Sequence, residues 1–128
     1  MTTTWSKCIG HLALNVTSLE KAIWFFGTVF EFPIQKFKEN QMMVFAGESI
    51  MVLKLVEENY ININLPQFLD HYGFQAEQKN VVDLFYARVV SFGLEILKQP
   101  YDRSDGRGFY FKDPFGYTVE YFWYNRGS

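Results

Sequence analysis

The chain has 128 residues, of which 48% are hydrophobic and 20% aromatic, and its formal net charge at pH 7 is −2. This length is typical of one domain that buries its own core. The nearly balanced charge does not favour nucleic acid as a partner. The single cysteine, Cys8, cannot form an internal disulfide, and we expect it to be a small buried core residue. No signal peptide and no membrane-spanning run is evident, so the sequence predicts a soluble cytoplasmic protein without membrane contact.

The first half of the chain has the pattern of a strand and a helix followed by three strands. Over 7–16, apolar and polar residues alternate, so that Leu14 and Val16 lie on one face and His11 on the other. The run Thr17-Ser-Leu-Glu20 is a capping box that begins a helix. Apolar residues then recur at helical spacing: Leu19, Ala22, Ile23, Phe26 and Phe30. Three further strands are predicted at 32–38, 42–46 and 50–56.

The second half repeats this order of elements after a seam at 57–68, which is rich in Asn and lacks periodicity. A strand is predicted over 69–76, with His71 on its small, polar face. Asn80-Val-Val-Asp83 is a candidate cap for a helix that ends at Gly93. Strands follow at 94–98, 108–112 and 117–123.

The repeat predicts an α+β fold of two βαβββ modules, 5–58 and 68–125, within a single domain that spans 1–128. The only two histidines of the chain, His11 and His71, open the two modules at matching positions. If the modules pack with pseudo-two-fold symmetry, both imidazoles can point into one cleft.

Glu120 lies in an otherwise apolar last strand, where an unpaired charge is expensive to bury. Together with His11 and His71 it forms a two-histidine, one-carboxylate set, which leaves open positions on a divalent ion as a catalytic site requires. The alternatives are hydrogen-bonded core histidines and an ion pair between Glu120 and Arg107 or Lys112.

Three runs of the sequence resemble the vicinal oxygen chelate superfamily, which includes glyoxalase I, extradiol dioxygenases, bleomycin-binding proteins and fosfomycin-resistance thiol transferases. They are His11-Leu-Ala-Leu, Asp70-His71-Tyr-Gly-Phe and Phe109-Tyr-Phe-Lys-Asp-Pro-Phe-Gly-Tyr-Thr-Val-Glu120. The resemblance implies paired βαβββ modules that form a cupped mixed sheet, usually in a homodimer. It also implies metal ligands at His11, His71 and Glu120, with Mn, Zn, Ni or Fe as the ion.

The spacing of the three ligands is most similar to the fosfomycin-resistance branch, which implies a metal-dependent transferase or lyase acting on a small oxygenated electrophile. By this resemblance Tyr110 is the catalytic tyrosine, and Ser104 and Arg103 lie in a substrate-binding loop. Two aromatic residues, Phe45 and Trp123, are further candidates for substrate contact. The chain departs from that branch at Ala13, where a hydroxyl is expected, and at Pro100, where a lysine is expected, which argues against fosfomycin itself as the substrate.

Other members of the superfamily suggest different functions. Glyoxalases require a fourth ligand, usually a carboxylate, yet the strand 50–56 contains none. Extradiol dioxygenases use a further histidine as acid and base, and none remains here. A metal-free protein that binds flat drugs between aromatic rings is the remaining alternative, and the presence of all three metal ligands argues against it.

Overall fold

The computed structural model of the chain describes residues 5–57 and 69–125. They fall into two compact units, one on each side of a boundary between residues 61 and 62. The predicted seam lies outside the described residues except for Glu57. Within the described part of the chain, no helix is long and apolar enough to cross a membrane.

The first unit is a four-stranded mixed sheet with one helical segment. Its strands are β1 (His11–Val16), β2 (Ile34–Lys38), β3 (Gln41–Ala46) and β4 (Ser49–Leu55), in the spatial order β1-β4-β3-β2. The strand β1 is parallel to β4, and the other neighbours are antiparallel. Leu14 and Val16 are buried whereas His11 is exposed, as the alternation predicts.

The helical segment begins one residue later than predicted and widens after one turn. Ser18 is the N-cap of α1 (Leu19–Ala22), and its hydroxyl accepts a hydrogen bond from the backbone N–H of Lys21. A π-helical segment, Ile23–Val29, continues it. This wider winding changes the helical face, so that Ile23 is 40% exposed whereas the consecutive residues Phe25 and Phe26 are both fully buried.

The second unit repeats the plan of the first. Its strands are β5 (Tyr72–Gln75), β6 (Ile96–Arg103), β7 (Gly106–Lys112) and β8 (Thr118–Tyr124), in the order β5-β8-β7-β6, with β5 parallel to β8. The helix α2 (Lys79–Ser91) begins before the predicted cap, with Gln78 as its N-cap. It ends as predicted, because Gly93 follows it with φ of +78°. The prediction of an α+β fold with two βαβββ modules is confirmed.

The core of the second unit lies between α2 and one face of the sheet. Phe109 and Phe111 of β7 are fully buried, and the ring of Phe85 on α2 lies 4.4 Å from that of Tyr121. Because side chains alternate along a strand, Tyr110 lies on the opposite face from these phenylalanines. This opposite face of the second sheet, which we call the open face, carries the residues of interest.

Two expectations are wrong. Cys8 is exposed rather than buried, because it lies before β1 begins at His11. The strand β6 does not end at residue 98 but continues to Arg103, with irregular pairing on both sides of Lys98. As a result Arg103 is the last residue of a strand, and only Ser104 and Asp105 form the turn to β7.

Candidate metal centre

Glu120 lies in the middle of the open face of the second sheet. It is paired with Gly73 of β5 on one side and with Tyr110 of β7 on the other. Paired residues of neighbouring strands share a face. The carboxylate therefore lies between Gly73, which has no side chain, and the ring of Tyr110. His71 directly precedes β5 and lies on the same face as Gly73, two residues away.

The carboxylate of Glu120 has a different partner on each oxygen. Nη1 of Arg103 donates a hydrogen bond to Oε2 at 2.6 Å, and Nε2 of His71 lies 3.2 Å from Oε1. Glu120 is only 8% exposed. The charge-assisted bond to Arg103 offsets the cost of burying this carboxylate, which without a partner would be several kcal/mol. The partner is thus Arg103 and not the predicted Arg107, which binds Asp83 on the other face.

His71 is held from its other ring nitrogen. Its Nδ1 lies 2.6 Å from Oδ2 of Asp70, whose side chain is 95% exposed. An ionised carboxylate only accepts hydrogen bonds, so Nδ1 carries the proton. In the neutral imidazole, the lone pair of Nε2 then points toward Glu120.

Tyr110 adds a hydroxyl to the same cluster. Its ring lies edge-on to that of His71, with the centroids 5.8 Å apart. Burial, the charge of Glu120 and hydrogen bonds with Glu120 and Tyr101 raise the pKa of Tyr110 to about 12. The hydroxyl is therefore protonated at neutral pH and acts as a hydrogen-bond donor.

His11 occupies the corresponding place in the first unit. It is paired with Ile50 of β4, which is also paired with Phe45 of β3, so the three side chains share one face. Ala13 lies two residues after His11, and Gly73 lies two residues after His71. Their partners are Val52 and Glu120 respectively, so an apolar residue of the first unit matches the carboxylate of the second.

The pattern of the chain is matched by a known family over most of its length. The profile of the Glyoxalase/Bleomycin resistance protein/Dioxygenase superfamily matches residues 8–121. The chain belongs to this superfamily.

Among its relatives is the Metallothiol transferase FosB of Shouchella clausii (strain KSM-K16), which is 27% identical over 115 residues that span 88% of this chain and 77% of that protein. The fold is shared with the fosfomycin resistance protein FosX from Listeria monocytogenes, with a TM-score of 0.77, 20% identity and coverage of 94% of this chain and 96% of that one. It is also shared with a lactoylglutathione lyase from Agrobacterium tumefaciens, with a TM-score of 0.74, 20% identity and the same coverage.

The relative from Shouchella clausii is named a metallothiol transferase, and the side chains of His71 and Glu120 are of the types that bind a divalent ion. A lone pair on Nε2 and a carboxylate oxygen 3.2 Å away repel each other unless a proton or a cation lies between them. Asp70, His71 and an ion at Nε2 would form the carboxylate–histidine–metal arrangement common in metalloproteins. Within residues 5–57 and 69–125, no three His, Cys, Asp or Glu side chains are grouped to hold a metal. The contribution of His11 as third ligand therefore stays a prediction.

The remaining predicted site residues lie in different places. Ser104 is exposed in the turn between β6 and β7. Trp123 is paired with Arg107, and it lies three residues from Glu120 along β8, hence on the opposite face. A substrate contact beside Glu120 needs the open face, so we leave Trp123 out of the proposed site.

Sequence reasoning did not identify Tyr101, or the contact of Lys98 with its ring, as part of the surroundings of the cluster. Tyr101 of β6 is paired with Gly108 on the open face, and Lys98 places its Nζ atom 3.9 Å from the centre of the Tyr101 ring. Both lie in the part of β6 that was expected to be a loop or a strand end. The position of Asp70 directly before a histidine was the available signal for its role as a hydrogen-bond partner.

Proposed function

We propose that this chain is a divalent-metal-dependent enzyme that acts on a small oxygenated electrophile, as a thiol transferase or a related lyase. The observation that carries the proposal is the pair formed by Nε2 of His71 and Oε1 of Glu120, with Nδ1 of His71 fixed by Asp70. His11 is the proposed third ligand. A divalent ion bound there supplies Lewis-acid stabilisation of the negative charge that develops on an oxygen of the substrate.

The residues around the pair have separate tasks in this proposal. Asp70 holds the imidazole of His71 in the tautomer that presents Nε2. The burial of Glu120 limits water around the carboxylate and strengthens its interaction with a cation. Tyr110 donates a hydrogen bond to an oxygen of the substrate, because its raised pKa keeps the proton on the hydroxyl at neutral pH.

The reaction class follows from these tasks and from the relatives. For a thiol transferase, a thiolate attacks a carbon of a strained ring, the carbon–sulfur bond forms and the carbon–oxygen bond breaks. The oxygen then takes a proton, so the net change is addition of the thiol across the ring. The relative from Shouchella clausii is named a metallothiol transferase, and this supports the proposal. We also propose a homodimer, as the family resemblance implies.

The test combines the purified protein with Mn²⁺, an epoxide and a thiol. Fosfomycin and an uncharged epoxide are each incubated with L-cysteine or glutathione, and the adduct is measured by mass spectrometry. The expected result is an adduct that is lost on chelation, restored by Mn²⁺ and absent from Glu120→Gln. The control is Glu95→Gln, which removes an exposed carboxylate of the same unit. Bound Mn²⁺ without any adduct or hydrolysed epoxide would contradict the proposed reaction.

A second candidate is a protein that binds planar molecules without a metal. The open face carries Phe122 and Tyr124, whose ring centres are 4.6 Å apart, beside Tyr110 and Tyr101. Aromatic faces of this kind stack with flat ligands. Binding of a planar drug measured by calorimetry, equal with and without EDTA and unchanged in Glu120→Gln, would favour this function over the enzyme.

A further inference from the structure

Arg103 reaches Glu120 from two strands away. Arg103 is paired with Gly106 at the edge of the sheet, and β7 separates it from the strand of Glu120. On the open face, β7 presents Gly106 and Gly108 before Tyr110, so no side chain stands between the guanidinium and the carboxylate.

The contact with Glu120 stabilises the guanidinium of Arg103 at a largely buried position, where a charged group is otherwise unfavourable. The side chain of Arg103 is only 17% exposed. Its Nε atom is 3.1 Å from a carboxylate oxygen of Asp105, but the N–H is not aimed at it and has no hydrogen-bond partner. A buried donor without a partner costs about 1–3 kcal/mol. Two contacts offset this cost: the charge-assisted bond to Glu120 at 2.6 Å and a hydrogen bond with Tyr101. The guanidinium is therefore held by groups of the open face rather than left free for a substrate.

The contact makes the two oxygens of Glu120 unequal. Oε2 is occupied by Arg103, whereas Oε1 faces His71. Tyr110 also hydrogen-bonds with this carboxylate, so at most one oxygen of Glu120, Oε1 beside His71, is presented to a cation. At the same time a permanent positive charge is bonded to that carboxylate, and like charges a few ångströms apart repel by several kcal/mol at the dielectric of a half-buried site.

We propose that Arg103 is a positioning residue that fixes Glu120 as a one-oxygen ligand and weakens its hold on the metal. This inference rests on the proposed metal site. Its functional consequence is that a bound ion keeps more of its positive charge for the substrate oxygen. The inference changes the predicted role of Arg103 from substrate binding to control of the metal ligand.

The test is the affinity of the full-length protein for Mn²⁺ in Arg103→Met, measured by calorimetry or by the EPR signal of the free ion. We expect at least tenfold tighter binding in Arg103→Met and near wild-type binding in Arg103→Lys, which keeps the charge. The matched control is Arg107→Met. It removes the same charge from a side chain of similar exposure that binds Asp83 and Asp102 on the other face, and the affinity is expected to be unchanged.

The outcomes separate this inference from the proposed function. If the wild type binds Mn²⁺ and Arg103→Met binds it equally or more weakly, the role of Arg103 is refuted while the metal enzyme stands. If the wild type binds no divalent ion, both fail. If Arg103→Met does not fold, Arg103→Gln removes the charge but keeps a donor for Glu120, and it should also tighten binding. If these variants show a raised KM for the substrate with unchanged kcat, Arg103 binds the substrate, and its role as a positioning residue is refuted.

Discussion

Gly73 and Glu120 stand opposite each other on the parallel strands β5 and β8, at a distance that leaves no room for a side chain on Gly73. A Cβ atom there would lie 2.8 Å from the carbonyl oxygen of Glu120 and 3.2 Å from its Cβ. The strand that carries the candidate carboxylate is thus kept close to the strand that follows His71. The absence of a side chain at Gly73 therefore allows the short distance between the two proposed metal ligands, His71 and Glu120.

We expect Gly73→Ala to lower the free energy of unfolding by about 1–3 kcal/mol, because the backbone of β8 has to shift. The shift also moves Glu120 away from His71, so the affinity for Mn²⁺ should fall. Urea unfolding and a metal titration measure the two effects. Gly10→Ala is the control, since a Cβ at Gly10 meets nothing within 4 Å. Equal stability of the two variants would contradict the close approach.

Asp70→Ala is expected to weaken metal binding by about 10–100-fold, although Asp70 itself does not face the ion. The carboxylate fixes the proton on Nδ1 of His71, so its loss lets the ring turn or change tautomer. The sign is opposite to that expected for Arg103→Met, because one variant removes the anchor of a ligand and the other removes a competing charge. Glu95→Ala serves as the control, and unchanged affinity in Asp70→Ala would show that the histidine is held in another way.

The buried bond between Tyr72 and Asp113 links the start of β5 to the turn before β8. The Tyr72 hydroxyl donates to Oδ2 of Asp113 at 2.8 Å, while Oδ1 accepts the backbone N–H groups of Phe115 and Tyr117. Tyr72→Phe should therefore cost about 1–3 kcal/mol of unfolding free energy. Tyr124→Phe, at a half-buried position on the last strand, is the comparison. A smaller loss in Tyr72→Phe than in Tyr124→Phe would contradict this role.

Asp113 also predicts a pH dependence of stability. Burial raises its pKa from 3.8 to about 6, against the opposing effect of its hydrogen bonds. The folded state therefore binds this proton more tightly than the unfolded state. The contribution of Asp113 is most favourable below about pH 4, falls as the pH rises to about 6, and amounts to about 3 kcal/mol across that window.

The difference in unfolding free energy between the wild type and Asp113→Asn, measured from pH 4 to 7, isolates this contribution. Asparagine keeps the acceptor for the two backbone N–H groups but does not ionise. We expect the difference to change by a few kcal/mol in that range and to level off above it. A constant difference at every pH would show that Asp113 has an ordinary pKa in the folded chain.

The fold could be predicted from the sequence because the alternation is a local pattern and the same order of elements recurs in both halves of the chain, whereas the ligand roles of the two histidines stay predictions. The same alternation excludes Trp123 from the face of Glu120, since an odd number of residues separates them. The contact of Arg103 with Glu120 could not be predicted in this way. It depends on the irregular pairing of β6 on both sides of Lys98. This irregularity sets where β6 ends and which of its residues pair with which residues of β7.

We propose that His11, His71 and Glu120 hold a metal, and elemental analysis of the purified protein tests this proposal most directly. The protein is loaded with Mn²⁺ or Zn²⁺ and dialysed, beside His11→Ala, His71→Ala, Glu120→Gln and the control Glu95→Gln. We expect about one divalent ion per chain in the wild type and the control, and its loss from each of the three ligand variants. A wild type that retains no ion, or a His11→Ala variant that retains it fully, would contradict the three-ligand centre.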